Sequence, residues 1–349
     1  MEVHKYPVKE GDTLESIAAE LGLGSKELKK YHNTNSRPHE WITEDNNLSK
    51  WINILYIPDS IDNLKNHKNS LKTLDLVQKE IELNTYSITQ KIDLKVSGSS
   101  LIDSETYMSW NYKKKRKNDT FIGELEQVFH QVKYVKSIYR ALTEYLQKFN
   151  KPLEHIVVEL SDTGEVSGIN NQEEIKDRWT ELKRELVSTL GNTLEEKNML
   201  ESGDQDFSNT LPLIKNNILY ALFFTDLYKK HEINDRFDGG EKRIYPSQIF
   251  NNENSHIITK KKVERENKII KIKLYSENDP LKNSHLQTIY NDKLRAFLQE
   301  DCNYMMTWSV EYNFDIETGE MLLCNSKIKE QTGNNYCHTT EYNIELKRD

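Results

Sequence analysis

The sequence predicts an α+β fold: a small βααβ module followed by a larger α+β domain in which a curved antiparallel sheet packs against helices. Three observations carry this. Segments with apolar residues at every second position stand near both ends of the larger part. Segments with apolar residues at helical spacing lie between them, a grouping expected of an α+β domain. The first 58 residues hold a strand–helix–helix–strand pattern of their own. The expected division is a module over 1–58, a polar linker over 59–70 and the larger domain over 71–349.

Tyr6 and Val8 alternate with polar residues, as a short half-buried strand requires. Gly11-Asp12 makes a turn, and Asp12 or Thr13 can cap the helix that follows, with Glu15 in its first turn. Leu14, Ile17, Ala18 and Leu21 form one helical face. Gly22 ends that helix, and Gly24-Ser25 opens a second, Lys26 to His32, carrying Leu28 and Tyr31. Ile54 to Ile57 reads as a returning strand closed by Pro58.

This order of turn, cap, helical face and closing strand resembles the LysM family. Tyr6, Val8, Gly11, Asp12, Thr13, Leu14, Ile17, Ala18, Leu28, Asn33, Leu55, Ile57 and Pro58 fill that family's hallmark positions, over about a sixth of the chain. The resemblance implies two helices on one side of a two-stranded antiparallel sheet. It also implies a shallow groove for N-acetylglucosamine (GlcNAc)-containing glycans such as peptidoglycan or chitin. Gly11, Asp12, Thr13 and Leu14 would line one wall, and the segment before Ile54 the other. At that second wall the sequence departs from the family: a long loop runs from Thr34 to Asn53 and holds Trp41 and Trp51, and Ser49-Lys50-Trp51 replaces the usual Pro-Gly pair. The amphipathic tryptophans suit stacking on sugar rings or on a partner's side chains, and equally suit packing the loop onto its own module.

In the larger part, Leu74, Leu76, Val77 and Ile81 predict a helix over 71–83. Tyr86, Ile88, Ile92, Leu94 and Val96 predict a strand with Ser87, Thr89, Lys91, Asp93 and Lys95 on its other face. A second strand follows with Met108, Trp110 and Tyr112 in register. Apolar residues from Leu125 to Phe149 predict one long helix over about 123–149, ended before Pro152. Residues 156–160 and 165–169 predict a hairpin, and Asn170 or Asn171 can cap a helix carrying Ile175, Trp179, Leu182, Leu186 and Leu190. A helix from Leu211 to His231 is apolar around most of its circumference and is expected to be buried. Strands are expected at 257–259 and 269–275, and a helix at 284–300. Trp308 to Phe314, Met321 to Ile328, and a last strand carrying Tyr336, Tyr342, Ile344 and Leu346 end the chain.

Composition narrows the function. With 18 Tyr, 10 Phe and 5 Trp the 349-residue chain is not a disordered sequence. Forty-eight basic against 56 acidic side chains give a net charge of −8, without the basic footprint that nucleic-acid binding needs. The basic runs Lys113 to Lys117 and Lys260 to Lys262 read as solvated turns or edge strands. No secretory signal or membrane-spanning stretch is legible, and the three cysteines lack metal-ligand spacing, so a reduced cytoplasmic protein is expected. A disulfide between Cys324 and Cys337, on neighbouring strands, stays open.

No phosphate loop, dinucleotide fingerprint, nucleophile elbow or zinc-protease helix is present. His32 and His39 read as surface residues, and the segment Asn234 to Glu241 as a polar turn. The expectation is therefore a non-enzymatic binding protein with no cofactor and no metal. In the first reading it is a cytoplasmic adaptor docking a protein partner. Because LysM modules also occur in contractile, type VI-like injection machines, the resemblance points to a toxin, spike or sheath component of a bacterial secretion locus as that partner. In the alternative it binds a GlcNAc-containing glycan at the cell wall.

Overall fold

The computed structural model describes residues 4–9, 11–36, 40, 42, 48, 52–57, 73–136, 139–140, 143, 147–189, 193–234, 236–250, 253–279 and 282–348. The chain divides into two units, 1–73 and 74–349.

In the first unit, β1 (His4–Pro7) pairs antiparallel with β2 (Ile54–Ile57). Thr13 caps α1 (Leu14–Glu20): its Oγ1 accepts from the Ser16 amide at 3.0 Å while Ser16 Oγ accepts from the Thr13 amide at 2.9 Å. Two of the helix's orphan amide donors are thereby satisfied reciprocally. Leu14, Ile17 and Ala18 bury one face of α1 against Leu28 of α2 (Ser25–Asn35) and Leu55 of β2. His32 is not a surface residue. It is fully buried, its Nδ1 accepting from the Tyr56 amide at 3.1 Å and its Nε2 donating to the Glu40 carbonyl at 2.8 Å.

The second unit is built on one antiparallel sheet of eleven strands. In chain order these are β4 (Ile81–Val96), β5 (Ser99–Lys117), β6 (Thr120–Val135), β7 (His155–Leu160), β8 (Val166–Ile169), then, after a short β9 (Lys230–Glu232), β10 (Asp238–Pro246), β11 (Asn254–Glu266), β12 (Ile269–Asn278), β13 (Tyr304–Asp315), β14 (Met321–Thr332) and β15 (Tyr336–Leu346). Their spatial order is β10-β11-β12-β13-β14-β15-β4-β5-β6-β7-β8. Two meanders are therefore joined where β15 meets β4, with Tyr342 opposite Gln90. A separate ribbon pairs β3 (Thr73–Asp75) with β9.

Helices α3 (Gln172–Thr189), α4 (Leu194–Ser208), α5 (Thr210–Asn216) and α6 (Ile218–Phe223) lie between β8 and β9 in the chain; α7 (Ser284–Lys293) and α8 (Arg295–Leu298) lie between β12 and β13. The apolar face of the sheet packs on α6. Phe223 meets Tyr86, Trp110 and Tyr112 edge-on at 5.0–5.5 Å between ring centres, and Tyr220 stacks on Trp110 at 5.3 Å. Such aromatic contacts add about 0.5–1.5 kcal/mol each beyond the area they bury.

These facts correct the expected fold class. The larger unit is not the expected α+β domain with a curved antiparallel sheet packed against helices; among the described residues one sheet of eleven strands makes up most of it. The amino-terminal ribbon and helices do not thereby amount to a LysM module, and no family resemblance is carried forward on them. The helix expected at 71–83 is absent from the described residues: Thr73–Asp75 is a strand and β4 already begins at Ile81. The helix expected at 123–149 is β6 through Val135. Its pairing with β5 shifts between Ser109 and Trp110 and again between Glu105 and Thr106, so Val128 and Lys133 are extra residues. Two bulges in one strand break the period of two and space Leu125, Val128, Phe129, Val132 and Val135 as a helix would. The helix expected from 211 to 231 is two. Asn217 separates them, its Oδ1 capping α6 through the amides of Leu219 and Tyr220, and the chain is extended again by Lys230.

Neither basic run is a turn. Lys113 to Lys117 ends β5, paired with β6 throughout but with β4 only at Lys114, so Lys115 to Lys117 form an exposed edge, and Lys260 to Lys262 sits in β11, between β10 and β12. Cys302, Cys324 and Cys337 are all free, which closes the disulfide question: Cys324 pairs across the sheet with Ile344, and Cys337 with Gln331.

Candidate functional site

Because side chains alternate along each strand, the residues opposite the apolar face form a second, polar face. The register aligns them into rows crossing the strands. One row runs Lys273, Glu311, Asn325, Asn343, Thr89, Tyr107, and the next Tyr275, Ser309, Lys327, Glu341, Lys91, Glu105, in each case on β12, β13, β14, β15, β4 and β5. All twelve residues line one open groove of about 670 Å³, which Phe237 also lines. Five inter-strand steps of ~4.8 Å make it about 24 Å long.

Its charges are opposed in pairs. Lys327 meets Glu341 at 2.8 Å, Lys91 meets Glu105 at 3.4 Å, and Lys273 meets Glu311 at 3.7 Å and Glu264 at 3.1 Å. Asn343 donates to Asn325 at 2.8 Å. At one end Tyr107 donates its hydroxyl to Glu105 at 3.0 Å and accepts from Lys133 at 3.0 Å. The Tyr107 hydrogen bond, with Lys133 and Lys91 behind it, holds the Glu105 carboxyl below the usual range. At the other end Phe237 lies edge-on to Tyr275, ring centres 6.3 Å apart. The result is a groove of balanced charge with an aromatic ring at each end. It is suited to holding a long polar ligand by exchanged ion pairs and stacking.

The residues expected to bind from the sequence are placed differently. Gly11, at φ +92°, and Asp12 form the turn before α1, where Asp12 Oδ2 accepts from the Lys9 amide at 2.8 Å. Thr13 caps the helix and Leu14 is fully buried. These four are contiguous, but three are occupied in the turn and cap and one in the core. Trp41 and Trp51 lie outside the described residues.

Two buried ionisable groups are not among the expected site residues. Lys114 continues the buried face of β5 one step past Tyr112 and is 1% exposed, its Nζ 4.6 Å from the centre of the Tyr228 ring. Burial pulls its pKa down to about 8, against a smaller opposing effect of Glu320. Glu330, fully buried on β14, accepts from Ser247 Oγ, from the Gln248 amide at 2.7 Å and from the Tyr304 hydroxyl at 3.0 Å. Burial still raises its pKa, and the donors only partly offset this. Three donors on one carboxylate pin the turn at 247–250 and describe a structural anchor. A period-two reading carried on to residue 114 would have found Lys114; nothing in the sequence marks Glu330.

No family model matches the chain. No curated protein matches it either. Among solved structures it is similar to one concerning lipid–protein interactions in lipovitellin, at 9% identity and a TM-score of 0.40, over 76% of this chain and 25% of that one. The chain thus spans about a quarter of that structure, and a likeness this slight bears on neither fold nor ligand. Among the described residues no group of three or more His, Cys, Asp or Glu is placed to hold a metal ion, and no helix is long and apolar enough to cross a membrane.

Proposed function

We propose that this protein is a non-enzymatic, cytoplasmic adaptor that docks a protein partner along the polar face of its sheet. The observation that supports this reading is the groove itself: two aligned rows of six side chains with balanced charge and aromatic ends. Paired surface charges contribute little to stability, about 0–1 kcal/mol each, but they define which partner is electrostatically complementary. A glycan at the amino-terminal turn and a role in an injection machine rest on the sequence resemblance, and the groove lends neither any weight.

The test is a pull-down from the source cell with the wild-type chain, Lys91→Glu/Lys327→Glu, and Lys176→Glu on α3 as a control. A partner identified by mass spectrometry should bind the wild type and the control. It should lose at least tenfold in affinity for the double variant when reconstituted from purified components. A partner that binds the double variant as well as the wild type refutes the groove as the docking site.

A further inference from the structure

On the polar face the row Lys327, Glu341, Lys91, Glu105 alternates in sign from β14 through β15 and β4 to β5. The next row along the same strands reads Lys329, Thr339, Asp93, Asp103, with Lys329 and Asp103 exposed at its two ends. Both rows share a property that ion pairing within one sheet does not require. Reversed end for end, each is the electrostatic complement of itself.

A two-fold axis laid against the polar face, along the strands and between β15 and β4, performs that reversal. It sets Lys327 of one copy over Glu105 of the other, and Glu341 over Lys91. Each contact recurs with the copies exchanged, as in any isologous interface. In the second row it sets Lys329 over Asp103 and Thr339 over Asp93. The uncharged row on the other side gives Asn325 over Tyr107 and Asn343 over Thr89. No like charges are superposed in these rows. A two-fold axis running across the strands would instead stack Lys327 on Lys327, so charge favours one axis over the other.

Shape agrees with charge. Strands twist with one hand, and rotation about an axis along them turns a twisted sheet into a second surface of the same twist. The two faces then follow each other with their strands aligned and their backbones about 10 Å apart, the usual spacing of packed sheets. Lysine and glutamate side chains are long enough to meet midway. Lys327 and Lys91 already have carboxylate partners in their own sheet, at 2.8 Å and 3.4 Å, so exchanging partners between copies leaves no member of that row unpaired. Strands ~4.8 Å apart from β13 to β6, with three rows ~6.8 Å apart, cover about 600 Å² per copy. That is below the ~800 Å² per partner of a standard stable complex and fits a weak, reversible one.

We propose that the polar face pairs with a second copy of this chain, in a symmetric dimer in which Lys327, Glu341, Lys91 and Glu105 exchange their ion pairs between copies. The inference rests on the reading of this face as a protein-docking surface, and it names the occupant.

Sedimentation equilibrium of the full chain at about 200 µM, in about 20 mM and about 500 mM salt, tests this. The wild type should be dimeric at low salt and associate at least tenfold more weakly at high salt. Lys91→Glu/Lys327→Glu makes the row wholly acidic, and Glu105→Lys/Glu341→Lys makes it wholly basic. Each should be monomeric alone, with the circular dichroism spectrum of the wild type. Mixed in equal amounts they should form a heterodimer at least as tight as the wild-type dimer, which misfolded variants could not do. A wild type that is monomeric at low salt, or a dimer indifferent to salt, overturns the proposal. So does either double variant that dimerises alone, or a mixture that stays monomeric. The docking reading fails on a different result, a pulled-down partner that binds Lys91→Glu/Lys327→Glu as well as the wild type.

Discussion

The two faces of the eleven-stranded sheet are made by the same strands and do opposite work. On β12, Ile270 and Ile272 are fully buried on one face, while Lys271 and Lys273 stand on the other among carboxylates. On β15, Ile344 is buried and its neighbours Asn343 and Glu341 line the groove. The apolar face carries the stability, because area removed from water and ring-on-ring packing are both concentrated there. The polar face carries almost none, because each of its ion pairs is open to solvent. A wide sheet covered on one side can thus vary its recognition surface without disturbing its core.

The sharpest way to break that contrast is to remove a ring from the apolar face. Trp110 is 3% exposed, stacks on Tyr220 and meets Phe223 edge-on. Trp110→Ala should cost about 3–5 kcal/mol of unfolding free energy, measured by denaturant titration. A loss under about 1 kcal/mol would mean that α6 does not organise this core.

Buried charge comes next. Burial lowers the pKa of His231 to about 4, the hydrogen bond to the Leu227 carbonyl opposing this only in part. The folded chain therefore holds His231 neutral where the unfolded chain protonates it. Stability contributed by this group is complete above pH 6.5 and is lost as pH falls toward 4, by about 2–3 kcal/mol. Denaturation midpoints at pH 7 and pH 4.5 check it: the wild type should weaken between them by more than His231→Gln does.

Lys114 tests the same effect with the same sign in a higher pH window. A lysine whose pKa is lowered to about 8 burdens the folded state below that pH, and stability rises as pH climbs from 8 toward 10.5. Replacing it by an apolar side chain of similar length, Lys114→Met, should stabilise the protein at pH 7 by about 1–3 kcal/mol. The gain should vanish above pH 10. A destabilised variant at pH 7 would show that the contact with the Tyr228 ring outweighs the desolvation.

The smallest effect belongs to the polar face. Lys327 and Glu341 meet at 2.8 Å with side chains 59% and 42% exposed, so Lys327→Ala should shift stability by no more than about 0.5 kcal/mol. If stability falls further, the groove is part of the scaffold rather than a recognition surface.

Much of the β structure was legible where the pattern was clean. Tyr86 to Val96, Met108 to Tyr112 and Trp308 to Phe314 keep a strict period of two, and each is a strand with those residues turned to one face. The candidate site was not legible. Its rows are made by cross-strand register, and the partner of Lys91 is Glu341, 250 positions away. The sequence does show Thr89, Lys91, Ser309 and Glu311 as the polar face of their strands, but not that they lie in line.

Local chemistry determined what sequence alone could determine: the turn at Gly11, a helix cap at Asp12 or Thr13, the alternation that divides most strands into a wet and a dry side, and the burial of all of α6 but Ala221. These depend on a few adjacent residues and the period of the backbone. Tertiary structure decided the rest. It made 120–135 a strand despite helical spacing, because the edges of β5 and β7 were there to be paired and two bulges absorbed the mismatch. It buried Lys114 in what looked like a solvated basic run, and it paired β4 with β15, the first and last strands of the large sheet in chain order. Pairing across hundreds of residues has no local signature, since its hydrogen bonds are made by backbone groups that every residue shares.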